Sequence, residues 1–229
     1  MGRIARRAAS CRLADFGATV WKVEKPGAGD DTRHWGPPWL KDSAGRDTGE
    51  AAYYLSANRG KRSLAIDFTK PAGQKLIRGL AERADVLIEN NLPRQMREWN
   101  LSYAQLQEIN PRLVMISITP FGQTGPYSAW NGYDLNAFHL SGASSRYCGR
   151  PGEMPLEHGT FSADYFGAIT GAAWGLAAVF GRDLVGGGQQ VDVSCAEAIA
   201  AAFVGGQNIG LVAQEGRFDL RTGTVLGAQ

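Results

Sequence analysis

The sequence predicts an α/β fold built on a parallel sheet, and two observations predict it. From Thr19 onward, short β-branched runs alternate with stretches of helical apolar spacing, the pattern of strands joined by crossover helices. A length of 229 residues with 44% hydrophobic content supplies one sizeable core.

The elements follow in order. Residues 19–23 read as a strand ended by Glu24-Lys25-Pro26-Gly27, and residues 63–67 as another. Pro71 opens a helix with Leu76, Ile77 and Leu80 on one face, leading into a strand over 85–89. A shorter helix with Ser102 as N-cap precedes the strand 112–119, giving a second β-α-β unit. Gly186-Gly187-Gly188 turns into a strand over 190–194, and 196–204 is again helical. Two irregular stretches interrupt this order. Residues 26–58 form a polar excursion carrying Trp35 and Trp39, too long for an ordinary connection and therefore expected to be functional. Residues 120–160, with Pro120, Pro126, Pro151, Pro155 and many glycines, are expected to wrap the end of the sheet. The apolar run 165–180 is shorter than the ~20 residues of a membrane span. Its ridge of Gly167, Gly171 and Gly175 predicts a buried helix that approaches another backbone closely.

Composition excludes several function classes. With 24 basic and 22 acidic residues, the net charge of +2 gives neither a nucleic-acid stripe nor a surface for anionic membranes. Cys11, Cys148 and Cys195 lack the spacing of a zinc site or a redox pair, and fit a reducing cytoplasm. The basic first residues (Arg3, Arg6, Arg7, Arg12) include no apolar stretch long enough for a secretory signal. Gly27-Ala28-Gly29-Asp30-Asp31-Thr32 begins like a dinucleotide fingerprint but ends in threonine, and no phosphate-binding G-x-x-x-x-G-K-[ST] occurs. His34, His139 and His158 are scattered, so no metal site is expected, and the serine elbow G-x-S-x-G is absent. Carboxylate chemistry remains. Open parallel sheets bind ligands beyond the carboxyl ends of their strands, which directs attention to Lys25, residues 68–70, 90–92 and 120–127.

Six segments, in order, carry a resemblance: L-A-D-F-G-A-T-V-W-K-V-E-K-P, N-R-G-K-R-S-L-A-I-D-F, A-D-V-L-I-E-N-N, I-N-P-R-L-V-M-I-S-I-T-P-F-G-Q-T-G-P-Y, G-Y-D and G-G-G-Q-Q-V-D-V-S. Together they resemble the class III CoA-transferase family, which includes formyl-CoA and carnitine CoA-transferases and, as a close branch, 2-methylacyl-CoA racemase. The resemblance implies a Rossmann-like parallel sheet with flanking helices, the large domain of such an enzyme, over residues 1–204, with 205–229 beginning the link to a smaller domain. It implies no permanently bound cofactor. Coenzyme A and its thioesters would be substrates, a carboxylic acid the acceptor, and a homodimer or a partner subunit the assembly.

By the same resemblance Asp164, in F-S-A-D-Y-F-G, is the aspartate that attacks the thioester; by residue type alone it reads as a helix N-cap. A carboxylate at a helix N-terminus stays ionised, and nearby N–H groups can hold the charge of a tetrahedral intermediate. The coenzyme A pocket maps onto Lys25; Ile66, Thr69 and Lys70; Asn90, Asn91 and Leu92; and Asn131, Tyr133 and Asp134. Lys70 stands in for a family lysine that here reads Thr69, and Arg97 for an arginine that here reads Glu98. The racemase branch pairs its aspartate with histidine in G-H-D, where this chain has Gly132-Tyr133-Asp134. Tyrosine, with an ordinary pKa near ~10, is a poor base at neutral pH, which favours acyl transfer over proton exchange; His139 and His158 are the alternative bases. The family begins with a strand before the L-A-D-F-G helix and continues into a smaller domain, neither of which is read here. A third function class, binding of coenzyme A without catalysis, is therefore carried beside the two enzymatic ones.

Overall fold

The computed structural model describes residues 4–157, 159–204 and 212–216. The chain opens with helix α1 (Ala5–Asp15) and strand β1 (Val20–Glu24). After a 3-10 turn (Asp31–His34) come β2 (Trp39–Lys41), β3 (Asp47–Ala51), α2 (Ala52–Asn58) and β4 (Lys61–Ala65). Then follow α3 (Pro71–Ala81), β5 (Val86–Glu89), α4 (Pro93–Glu98), α5 (Tyr103–Gln107) and β6 (Val114–Thr119). The last part holds α6 (Asp134–Leu140), α7 (Ala143–Tyr147), the long α8 (Ser162–Val185), β7 (Gln190–Ser194) and α9 (Cys195–Ile199), which continues as one π-helical stretch (Ala200–Val204).

The five strands other than β2 and β3 pair in parallel, as the alternation predicts, but in two pieces: β1 with β4, and β5-β6-β7. Among the described residues no ladder joins β1 to β5. Helix α1 packs against both and against α8, so packing rather than hydrogen bonding ties the pieces together. β6 is buried at every position, as the central strand of a parallel sheet covered on both faces should be.

Both irregular stretches contain regular structure. Residues 26–58 fold into an antiparallel β2-β3 hairpin and α2, and residues 120–160 include α6 and α7. These elements are three to seven residues long, too short for apolar periodicity to stand out from Gly and Pro. The strand expected at 63–67 lies two residues earlier, at Lys61–Ala65, because Asp67 is used in a turn that accepts the N–H and hydroxyl of Thr69. Leu76, assigned to the apolar face of α3, is exposed, whereas Ile77 packs on the core beside Phe68 and Leu87.

The glycine ridge of α8 behaves as its spacing predicts. A Cβ on Gly167 would meet Cys195 Sγ at 2.6 Å, and one on Gly175 would meet Ile116 Cδ1 at 2.2 Å. Only glycine lets this helix lie so close to β6 and α9. The helix is not buried all round, however: Trp174, Phe180 and Leu184 on its other flank are exposed, a correction to the buried-helix expectation. No helix among the described residues is long and apolar enough to cross a membrane. Gly186, in the left-handed region at φ 78°, ends α8 and sends its N–H back to Arg182. Successive glycines of α8 meet Ile118 and then Ile116, so the helix runs against β6 and its N-terminus lies at the strand's carboxyl end. That is where the candidate site forms.

Candidate active site

Asp164 is the third residue of α8, so its N–H is one of the four at a helix start with no partner inside the helix. Asp134, the first residue of α6, supplies that partner: its Oδ1 accepts the Asp164 N–H at 2.6 Å. The loop leading to Asp134 is fixed at the end of β6, since Gly132 lies so close to Pro120 and Phe121 that any Cβ would collide with them. The Asp164 carboxylate turns the other way, toward the start of α1, where its Oδ2 accepts the Ile4 N–H at 3.2 Å. Helix α1 has neither a side-chain cap nor an acidic residue in its first turn, and Asp164 takes that place from across the fold. The carboxyl group of Asp164, itself in the first turn of α8, therefore serves the N-terminus of α1, while that of Asp134 serves the N-terminus of α8.

Asp164 is only 3% exposed. Burial pushes its pKa up to about 6, opposed by the Ile4 amide, the positive charge of Arg7 and the Ala5 amide. At neutral pH it remains mostly the carboxylate. Asp134, 6% exposed, is raised to about 8 by burial first, then by a hydrogen bond with Glu157 and by the nearby negative charges. The Cys195 thiol, buried beneath both aspartates, is pushed up by burial and by their charges, and is no nucleophile at neutral pH.

Beside the carboxyl groups stands an aromatic cluster. Trp35 lies 5.5 Å from Tyr53 and 5.6 Å from Phe161, centroid to centroid, and the Tyr53 hydroxyl meets that of Tyr165 at 3.2 Å. The polar excursion thus reaches the candidate site. A charged network anchors it: Arg7 binds Asp30 at 2.6 Å, Lys22 pairs with the same carboxylate, and Arg33 links Glu24, Glu50 and Tyr54. Burial would raise Asp30, but the hydrogen bond and charge of Arg7, followed by Lys22, hold it far below the ordinary range.

The other expected contacts are spread along the carboxyl ends of the strands. Lys25 follows β1 and is exposed; Ile66 is half-buried and donates its N–H to Glu24, while Thr69 and Lys70 lie exposed at the start of α3. Asn90, Asn91 and Leu92 follow β5: Asn90 is buried, Asn91 donates its N–H to Glu89 at 2.6 Å, and Leu92 starts α4, on which Arg97 is exposed. Asn131 is exposed, as is Tyr133 at 61%. Asp134, in the same loop region, is buried, and its Oδ1 accepts the Asp164 N–H. His139 sits on α6 beside the Phe138 ring, and His158 lies outside the described residues. Sequence reasoning missed Arg7, Tyr53 and Glu157. Arg7 stood in a basic run that reads as solvated, and Glu157 was a lone acid in a loop.

Comparison with known proteins gives a consistent result. The sequence model of CoA-transferase family III matches residues 3–217. A succinate–glutarate CoA-transferase of Agrobacterium fabrum is 40% identical over 211 residues, covering 92% of this chain and 52% of that protein. A human succinyl-CoA:glutarate CoA-transferase is 38% identical over 212 residues, covering 87% and 45%. Among solved structures, a CAIB/BAIF family protein from Brucella suis superposes with a TM-score of 0.86 at 35% identity, over 96% of this chain and 57% of that one. The chain thus spans about half the length of the relatives it matches.

Proposed function

The chain belongs to CoA-transferase family III, and from that premise we propose that it moves coenzyme A between carboxylic acids through a covalent link to Asp164. The observation that carries the reading is the buried Asp164 carboxyl group, in the first turn of α8, accepting the N–H at the start of α1. The carboxylate attacks the thioester carbonyl and coenzyme A leaves as the thiolate, giving a mixed anhydride. The thiolate then attacks the aspartyl carbonyl, which releases the donor acid and leaves an aspartyl-CoA thioester. The acceptor carboxylate repeats the two steps in reverse. Attack on the aspartyl carbonyl gathers negative charge on an oxygen of residue 164, beside the Ile4 N–H that already donates to Oδ2 and within the field of Arg7.

Coenzyme A is held, in this reading, along the strand ends by Lys25, Ile66, Thr69, Lys70, Asn90, Asn91, Leu92 and Arg97, with Asn131 and Tyr133 at the site itself. The names of the relatives support succinyl-CoA as the donor to try first. Assembly as a homodimer or with a partner subunit belongs to the same reading. So does a cytoplasmic location, supported by three buried, unpaired cysteines. Tyr133 points outward and Asp134 lies behind Asp164, an arrangement that does not favour racemisation.

A second reading, binding of coenzyme A without turnover, is favoured by one observation, the near-complete burial of Asp164. Incubation with succinyl-CoA and hydroxylamine separates the two. Turnover through Asp164 yields a hydroxamate at residue 164 that is lost in Asp164→Ala, whereas binding alone yields none. A hydroxamate that survives Asp164→Ala overturns the assignment of the nucleophile.

A further inference from the structure

The hydroxyls of Tyr53 and Tyr165 lie 3.2 Å apart, the length of one hydrogen bond. Two hydroxyls carry two hydrogens and their mutual bond uses one, so the pair always keeps a donor free. Among the described residues neither oxygen has another protein partner. Both side chains are half-buried rather than sealed, which leaves that donor within reach of a ligand. Beside the pair stands an aromatic wall. Phe161 packs on Trp35 at 5.6 Å and meets Tyr53 edge-on at 6.0 Å. Phe161 directly precedes α8, three residues before Asp164, so the wall begins about one helical turn from the candidate nucleophile. An apolar flank that ends in a hydroxyl donor suits an acyl chain whose methylenes lie on the rings and whose far end carries oxygen. We propose that Tyr165, together with Tyr53, selects the acyl group: a short chain held at Asp164 runs along Phe161 and Tyr53, and the hydroxyl pair donates to a carboxylate at its far end. The inference rests on the reading of Asp164 as the point of attachment and adds a substrate class, short dicarboxylic acyl groups.

The surroundings favour a charged far end over a methyl group. Burial first, then the hydrogen bond to Tyr165 and the charges of Tyr165 and Asp164, push the Tyr53 pKa up, so its hydroxyl stays a donor at neutral pH. The charge of Arg7 acts on both Tyr53 and Asp164, and its Nη1 is buried without an acceptor. A carboxylate also accepts the stronger bond, since hydrogen bonds to an ionised acceptor are roughly twice as strong as neutral ones. A methyl group in that place would shut the free donor off from water and give it nothing in return. A site built to donate to its substrate rejects the analogue that lacks the acceptor, which is how a hydroxyl pair sets specificity.

The test is calorimetric titration of the whole chain carrying Asp164→Asn, which forms no acyl link at that residue, with succinyl-CoA and with butyryl-CoA. The two acyl groups have equal numbers of carbons and differ at the far end, a carboxylate in one and a methyl in the other. With both tyrosines in place, succinyl-CoA should bind the more tightly. Tyr165→Phe keeps the ring and removes the hydroxyl, and should lower the ratio of the two affinities about tenfold, the scale of one hydrogen bond to a charged acceptor. Tyr53→Phe should move the ratio in the same direction. Equal affinities with both tyrosines present, or a ratio that neither substitution changes, overturns the proposal. So does a loss shared equally by the two thioesters, which is the mark of a merely structural contact. Failure of the nucleophile reading looks different: the preference for succinyl-CoA and its loss in Tyr165→Phe would persist, while the chain with Asp164 intact formed no hydroxamate there.

Discussion

At the scale of single residues, the balance at Asp164 decides what the site can do. Burial raises its pKa to about 6, while the Ile4 amide and Arg7 keep the rise from going further. In the proposed mechanism the carboxylate form reacts, so hydroxamate formation should increase about tenfold per unit below pH 6 and level off above about pH 7. A rate that instead falls with rising pH would show that a protonated group is required there. Arg7 has a second role, since its buried pairing with Asp30 fastens α1 to the segment after β1. Arg7→Met leaves Asp30 buried with Lys22 as its remaining ion-pair partner, and should cost on the order of 3 kcal/mol in a urea unfolding curve. Asp164 could be chosen from sequence through the F-S-A-D segment. Its helpers could not, because Ile4 acts through its backbone and Asp134 comes from a separate helix.

At the scale of elements, the parallel strands and the helices α3 and α8 were legible because their apolar runs are sustained and bounded by proline or glycine, as at Pro71 and Gly186. The β2-β3 hairpin and helices α2, α6 and α7 were not. They are held by contacts distant in sequence, such as Tyr53 with Phe161 and Tyr147 with the Phe203 carbonyl, which no local pattern reveals. The glycines of α8 allow a direct test of close approach. Gly175→Ala drives a methyl into Ile116 and should destabilise by about 1–3 kcal/mol. Gly181→Ala, on the same helix with nothing within 4 Å of the new carbon, should stabilise by about 0.5–1 kcal/mol. Equal effects at both positions would mean that helix propensity, and not contact with β6, governs the ridge.

At the scale of the whole molecule, two parallel sheet pieces are held together by α1, and the site lies where α1, α6 and α8 begin. The sequence pattern predicts parallel strands but not the break between β1 and β5, since pairing partners are a property of the assembled sheet. Burying carboxyl groups at that junction makes stability depend on pH. Asp134 and Asp164 bind protons more tightly in the native chain than at the ordinary value near ~3.9. Their contribution is therefore greatest at low pH and is lost as pH rises, through about 6 for Asp164 and about 8 for Asp134. Asp134→Asn should flatten the decline between about pH 4 and 8 in thermal melts; an unchanged slope would place the pH dependence elsewhere. The most direct test of the central claim is peptide-mapped mass spectrometry of the folded chain after exposure to succinyl-CoA. A coenzyme A thioester on Asp164 is the predicted result. Modification confined to another residue, or none at all on folded protein, would contradict it.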